Sequence, residues 1–449
     1  MDMAIGRKYL FTNKDLLKLI IPLVIEQFLA ISVGLADSIM VASVGESAVS
    51  AVSLVDNINI LIINIFAALA TGGAVVAGQY LGQKDHKQAR FAANQLIILV
   101  SIISLIVMAL LYVGNEFILN VVFGNIEEDV EAYSRTYMNI VLASIPFIAL
   151  YNSCAALFRA MGNSKVTMII SVIMNLINAF GNAVLIYGFK LGVAGAAIPT
   201  LFSRALASIV ILILLFNKRH IIHITRPISL KLNKFMVLNI LHIGVPNGLE
   251  NSVFQLGKIL LLSLITSFGT ASITANAVGN VVSSFGILPA SAIGLALVSV
   301  VSQCVGARDY EQVRYYTKKL MKIAYLFMIL INLIIFLGLP IILDIYNLSS
   351  VTKTLASEII ISHCLFGVLL WPLAFTLPNT LRASNDVKYA MIVSISSMWI
   401  FRMGLGFIFG KYLKMGVLGV WFAMYCDWLV RTIFFILRYR GTKWQIFRI

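Results

Sequence analysis

Several ionisable side chains lie inside long apolar stretches of this 449-residue sequence. Glu26 stands in the stretch IIPLVIEQFLA, and Asp37 and Asp56 follow it in apolar surroundings. Glu250 stands in GVPNGLENSVF, with Lys258 eight residues later. A charged group in hydrocarbon costs at least about 2.5–3.5 kcal/mol, so such residues usually pair with one another or mark the path of an ion or substrate. These five residues are therefore the first candidates for a binding site.

Asp37 is the best candidate for binding a cation. It lies eleven residues after Glu26, and at about 100° and 1.5 Å per residue the two carboxylates fall near the same face of one helix, roughly 16 Å apart. An ionised Asp37 can take up a proton or a sodium ion and release it in another conformation. The alternative is a structural aspartate that hydrogen-bonds to neighbouring helices.

Glu26 and Glu250 share one sequence pattern, because each follows a proline, Pro22 or Pro246, by four residues. A proline inside a helix leaves a carbonyl unpaired and bends the helix axis. The two glutamates are therefore interpreted either as acids that line a substrate cavity or as structural anchors at a bend. The sequence favours neither interpretation.

Lys258 also has two interpretations. It balances the charge of Glu250 or Asp37, or it contacts an anionic or zwitterionic substrate. Arg204 and Arg402, which lie in other apolar stretches, are interpreted as packing or interfacial residues. The residues predicted to line a substrate cavity are Glu26, Gln27, Asp56, Asn247, Glu250, Asn251, Gln255 and Lys258.

The composition excludes most soluble classes of protein. The chain is 60% hydrophobic and 12% charged, with a mean hydropathy of +0.94, whereas a soluble domain is about 45–50% apolar and about 25% charged. The net charge of +15 is spread over short loops, so no nucleic-acid partner is expected. Four isolated cysteines predict neither a disulfide nor a structural metal. The sequence has no HExxH, GxSxG or P-loop motif, which argues against an enzyme or a P-loop ATPase.

Twelve apolar runs are long enough to cross a membrane as helices, since a span needs about 20 residues. Of the 34 Lys and Arg residues, 25 lie at the termini and in every second loop, and five lie in the opposite loops. The positive-inside rule therefore predicts that both termini are cytoplasmic. The predicted spans are roughly 16–42, 48–78, 91–113, 133–157, 165–187, 192–216, 235–266, 272–302, 317–346, 355–380, 388–410 and 415–437.

The two halves of the chain repeat each other. GQYLGQKDHKQAR at 78–90 matches SQCVGARDYEQVR at 302–314, and the same shift of 224 residues carries Glu26 to Glu250. A shift of 223 carries Arg159 to Arg382. We expect an all-α membrane protein with an amino-terminal lobe at 1–222, a cytoplasmic linker at 223–234 and a carboxyl-terminal lobe at 235–449. Six helices per lobe predict a pseudo-twofold axis along the membrane normal, which is an architecture of alternating-access transporters.

These motifs resemble one known family. PLVIEQFLAISVGLADSIMVASVG resembles the first helix of multidrug and toxic compound extrusion (MATE) transporters. GQYLGQKDHKQAR, FRAMGNSK, TLRASNDVK and GVAGAAIPT are similar to later loops and helix starts of that family. The resemblance implies a bacterial cell-membrane antiporter that exports organic cations and other drugs against inward H⁺ or Na⁺ flow. It implies no cofactor beyond that ion, a small-molecule substrate, the lipid bilayer as partner and a monomeric chain.

The family's ion site is carried over residue by residue. Asp37 matches its first-helix acid, Asn178 its asparagine and Thr200 its threonine, whereas Asn182 stands where several members have Asp. One carboxylate with amide and hydroxyl oxygens suits a single proton or monovalent ion, so no metal beyond a sodium ion at Asp37 is expected. The carboxyl-lobe acids of the sodium-coupled branch are absent. Phe254 and roughly Trp371 stand at their positions.

Two alternatives to a drug exporter stay open. A flippase for a lipid-linked oligosaccharide, from the same superfamily, would require a strongly basic cavity, and Lys258 is the one central cation that the sequence supplies for it. A MATE-type exporter of an anionic or zwitterionic metabolite is the second alternative.

Overall fold

The computed structural model of the chain describes residues 9–124, 127–225, 231–346 and 348–445. All regular secondary structure in these ranges is helical, which confirms the predicted all-α membrane fold. Residues 226–230 of the predicted linker lie outside the described residues.

Within the described ranges, eleven helices are long and apolar enough to cross a membrane, and a bent pair of shorter helices supplies a twelfth span. Their positions agree with the twelve predicted spans. In chain order they are α1 Asn13–Ala42, α2 Glu46–Gly82, α3 His86–Val113, the pair α4 formed by Glu128–Leu142 and Ile145–Ala160, α5 Ser164–Gly188, α6 Ala194–Leu215, α7 Lys234–Thr266, α8 Thr270–Gly306, α9 Tyr310–Ile345, α10 Ser350–Ala383, α11 Val387–Tyr412 and α12 Gly416–Arg440.

The fourth span, predicted over 133–157, consists of two helices joined at a bend. The two parts of α4 meet at an angle of 46°. Pro146 occupies the first turn of the second part, where its missing N–H is tolerated. The chain therefore changes direction just before this proline.

The repeat is visible in local structure. Asp85 accepts a hydrogen bond from the Gln88 backbone N–H at the start of α3, and Asp309 does the same for Gln312 at the start of α9. Each aspartate thus satisfies one of the unpaired N–H groups of its helix. The last turns of α5 and α11, Val184–Gly188 and Ile408–Tyr412, are both π-helical. These features are separated by the same 224 residues as the sequence motifs.

Contacts divide the chain into two compact units. Ile21–Gly248 forms the amino-terminal unit, and the residues from Leu249 onward, together with those before Ile21, form the carboxyl-terminal unit. Helices α2 and α8 are the most buried spans, at 61% and 67% of the most apolar window. The second helix of each sequence repeat is therefore the span most enclosed by its neighbours.

Candidate functional site

Four predicted site residues lie together in the amino-terminal unit. Asn182 donates from Nδ2 to Asp37 Oδ1 at 2.8 Å. The Asn178 amide lies between Asp37 and Thr200. When its nitrogen faces the carboxylate, that nitrogen donates to Asp37 Oδ2 at 2.9 Å, and the amide oxygen lies 3.0 Å from Thr200 Oγ1. Amide orientation is assigned from the hydrogen bonds it satisfies, and this orientation satisfies both ends when Asp37 is ionised. The structure therefore brings Asp37, Asn178, Asn182 and Thr200 into one network, here called the Asp37 site.

Helices α5 and α6 supply three of these side chains, and close packing of the two helices brings the side chains together. Asn178 and Asn182 are four residues apart on α5 and so lie on one helix face. A Cβ atom built on Gly181 would lie 2.7 Å from Pro199 Cβ on α6. Glycine at 181 therefore permits the approach that places Thr200, next to Pro199, against Asn178.

Two more charged groups act on the Asp37 site. Asp56 and Arg204 are both close enough to Asp37 to interact electrostatically with it. Arg204 donates to Ser144 Oγ at 2.8 Å, and the Tyr137 hydroxyl donates to Asp56 at 3.3 Å. With both acids ionised, the two carboxylates and one guanidinium leave a net charge of −1.

Arg204 and Tyr137 are the residues of this site that sequence reasoning missed. Arg204 was interpreted as a packing or interfacial residue, and the structure places it among the polar groups around Asp37. Tyr137 carried no sequence signal because it lies in the polar part of α4, 81 residues from its partner Asp56. An arginine inside an apolar span was the available signal for Arg204.

The repeated glutamates form repeated ion pairs. Arg159 Nη1 lies 3.4 Å from Glu26 Oε1, and Thr167 donates to the other carboxylate oxygen at 3.0 Å. In the carboxyl-terminal unit, Arg382 Nη2 lies 2.7 Å from Glu250 Oε1. All four charged side chains are at most 15% exposed. These pairs fit the structural-anchor interpretation, and a role of either glutamate in a substrate cavity stays a prediction.

The remaining predicted cavity residues divide between the units. Gln27 and Asn247 belong to the amino-terminal unit, with Gln27 half-buried and Asn247 buried. Asn251 and Gln255 belong to the carboxyl-terminal unit, and both are half-buried. Lys258 is exposed. A substrate-lining role for these residues stays a prediction.

One interpretation of Lys258 requires correction. The expectation that it balances the charge of Glu250 is wrong, because the partner of Glu250 is Arg382. The Lys258 ammonium lies instead 5.3 Å from the centre of the Phe254 ring.

Phe254 and Trp371, the residues at the positions of the family's second-lobe acids, both contact Phe375. Trp371 stacks on it at 5.1 Å and Phe254 meets it edge-on at 6.1 Å. That region is aromatic and cationic rather than acidic.

Twelve spans in two repeated halves, with polar and charged side chains gathered inside the spans, define a multi-pass membrane transporter. The MatE family profile matches residues 22–184 and 246–408, and the second segment begins and ends 224 residues after the first. The chain therefore belongs to the MatE family of transporters.

Named relatives agree with this assignment. The chain is 24% identical to the probable multidrug resistance protein NorM of Thermotoga maritima over 96% of its own length and 93% of that protein's. It is 25% identical to the probable multidrug resistance protein YoeA of Bacillus subtilis, over 84% and 82% of the two lengths. A solved structure of a MATE transporter in the straight conformation superposes with a TM-score of 0.89 at 23% identity, covering 95% of each chain. This last likeness confirms the two-lobe fold.

Proposed function

We propose that the protein is a secondary exporter in which inward flow of a monovalent cation, H⁺ or Na⁺, through the Asp37 site drives export of organic drugs. The network of Asp37, Asn178, Asn182 and Thr200 is the observation that carries this proposal. It supplies one carboxylate, two amides and one hydroxyl, which suits one small cation better than a divalent metal.

The Asn178 amide gives this site two states. With its nitrogen toward Asp37, it stabilises the ionised carboxylate. With its oxygen toward Asp37 and its nitrogen donating to Thr200 at 3.0 Å, it accepts a hydrogen bond from a protonated Asp37 or coordinates a bound ion. We infer that loading the site reverses this amide. The buried Asn182 Oδ1 carries no hydrogen bond within the described residues, and it supplies a further oxygen for the loaded state.

The charges near Asp37 connect ion loading to conformation. Arg204 interacts electrostatically with both Asp37 and Asp56. When a cation neutralises Asp37, the attraction of Arg204 shifts toward Asp56. We infer that this redistribution favours a different packing of the helices and that the two lobes alternate in access. Both termini are proposed to be cytoplasmic.

Substrates are proposed to be toxic organic compounds, lipophilic cations among them. The net negative charge of the Asp37 site and the names of the relatives support this choice.

The test compares efflux of ethidium from bacteria that express the wild-type protein, Asp37→Asn or Asp344→Asn. Asp344 is an exposed aspartate near the end of α9, so its substitution is a matched control. We expect Asp37→Asn to abolish efflux at an unchanged membrane level, and Asp344→Asn to retain it. Wild-type efflux by Asp37→Asn would refute the coupling role of Asp37.

A further inference from the structure

Three cations surround one aromatic ring in the carboxyl-terminal unit. Lys258 Nζ, Arg402 Cζ and Arg431 Cζ lie 5.3, 5.2 and 5.3 Å from the centre of the Phe254 ring. Arg431 also lies 5.2 Å from the ring of Phe375. These distances are within the range of cation–π attraction. Lys258, Arg402, Arg431 and Phe254 are called here the cation cluster.

The cation cluster has more positive charge than its surroundings compensate. Asp427 is its acid, and it pairs with Arg431 at 2.8 Å and accepts from Ser397 Oγ at 2.6 Å. Lys258 and Arg402 have no carboxylate within 4.0 Å among the described residues. Lys258 interacts electrostatically with Arg402, and Arg402 interacts at longer range with Asp427. Three cations and one acid leave a net charge of +2.

Arg402 is incompletely hydrogen-bonded within the described residues. Its Nη2 lies 2.9 Å from Met424 Sδ, a weak acceptor, and its buried Nε has no hydrogen-bond partner within the described residues. It is carried by the π-helical segment Met398–Gly404 of α11.

Lys258 does not reach for the end of its helix. A lysine near a membrane boundary usually extends its ammonium toward the boundary. Thr266, where α7 ends, lies eight residues after Lys258, about 12 Å along the axis. The Lys258 ammonium lies over Phe254 instead, four residues in the opposite direction. Its exposed side chain therefore presents its charge beside Arg402.

We propose that the cation cluster binds the anionic group of an organic molecule, a carboxylate or similar monoanion on an aromatic body, and that this molecule is exported. Lys258 and Arg402 would bind the anionic group, and the rings of Phe254, Phe375 and Trp371 would contact the body. The inference rests on the proposed function in one respect, namely that a bound organic molecule is a substrate. It extends the substrates from lipophilic cations to compounds that carry a negative group.

The first test measures binding without any ion gradient. Purified protein in phosphatidylcholine nanodiscs is titrated with 2-naphthoate and with its uncharged amide, 2-naphthamide, by tryptophan fluorescence. We expect naphthoate to bind at least about tenfold more tightly, as for a hydrogen bond to a charged group. Equal affinities would overturn the proposal.

Variants locate the effect. Lys258→Gln and Arg402→Gln should each weaken naphthoate binding by about tenfold, while Lys411→Gln, at an exposed position on the same helix as Arg402, should bind as the wild type does. Arg402→Lys retains the charge and should retain most of the affinity, which separates charge from folding. Wild-type binding by Lys258→Gln would contradict the assignment of the cation cluster.

A second arm separates an exported anion from an anionic lipid headgroup. Replacing half of the phosphatidylcholine by phosphatidylglycerol should leave naphthoate binding unchanged, and preloaded proteoliposomes should export naphthoate. Competition by phosphatidylglycerol without naphthoate export would overturn the substrate assignment in favour of a lipid. Binding is measured without an ion gradient, so a lack of naphthoate binding would not bear on the coupling role of Asp37. Equally, unchanged efflux by Asp37→Asn would not bear on naphthoate binding.

Discussion

Removing Arg382 should destabilise the carboxyl-terminal unit strongly, because Glu250 would keep a buried charge without its cation. The side chains of the pair are 11% and 9% exposed, and breaking such a pair on one side costs about 3–5 kcal/mol. Replacing both residues removes both charges and should recover most of that loss. The Glu26–Arg159 pair should be less sensitive, because Coulomb attraction at 3.4 Å is weaker than at 2.7 Å by a factor of about 1.3. Thr167 also continues to bond Glu26 when Arg159 is gone.

Unfolding can be followed in each unit separately, because each unit contains a buried cysteine. Cys154 lies in the amino-terminal unit and Cys304 in the carboxyl-terminal unit, and both are 0% exposed. In variants that keep one of these cysteines, a thiol-reactive dye labels that cysteine when its surroundings unfold. The temperature at which labelling occurs during heating therefore reports the stability of that region. Arg382→Gln should lower the labelling temperature at Cys304, and Glu250→Gln combined with it should raise that temperature again.

A matched surface control is available in Lys353→Gln. This substitution breaks an exposed ion pair with Asp344, and exposed pairs contribute little to stability. Its labelling temperature should stay near that of the wild type. Additive losses in the combined Glu250→Gln, Arg382→Gln variant would refute the reasoning, because they would mean that the two side chains do not stabilise each other.

Three further predictions concern the Asp37 site and its supports. Asn182→Asp adds a second carboxylate, so export should depend more steeply on the concentration of the coupling ion, moving from first toward second order in initial-rate measurements; an unchanged order would contradict it. Gly181→Ala places a Cβ 2.7 Å from Pro199 Cβ, so it should lower the free energy of unfolding by about 1–3 kcal/mol and weaken the dependence of export on the ion. Gly188→Ala is the control, because a Cβ at that position has nothing within 4 Å. Equal effects of the two substitutions would argue against close packing at Gly181. Asp309→Ala removes the α9 cap at about 1 kcal/mol and should speed amide exchange in that first turn, and unchanged exchange would contradict the capping role.

The fold was largely predictable because each span is a long apolar run and because the two halves repeat. The break in α4 was not predicted, although Pro146 lies inside the expected span. Hydropathy averages over about 20 residues and does not register a single bend. The repeat shifts of 224 for Glu26 and 223 for Arg159 were both visible in the sequence. Their meaning, a repeated ion pair, required the structure because the partners are more than 130 residues apart.

The candidate site was predictable where a family pattern marked it. The resemblance identified Asp37, Asn178, Asn182 and Thr200, and the structure brings them together. The cation cluster could not be predicted, because its members come from three helices that are distant in sequence. Lys258 taken alone suggested charge balance with the nearest acid in sequence, and only the structure shows that Arg382 already fills that role.

The most direct test of the account imposes the ion gradients separately. Proteoliposomes that contain the wild-type protein or Asp37→Asn are given an inward H⁺ gradient, an inward Na⁺ gradient or neither, and ethidium movement is followed in each. We predict that at least one gradient drives ethidium transport by the wild-type protein and that neither gradient drives it in Asp37→Asn. Gradient-driven transport that persists in Asp37→Asn would contradict the central claim that the coupling ion passes through the Asp37 site.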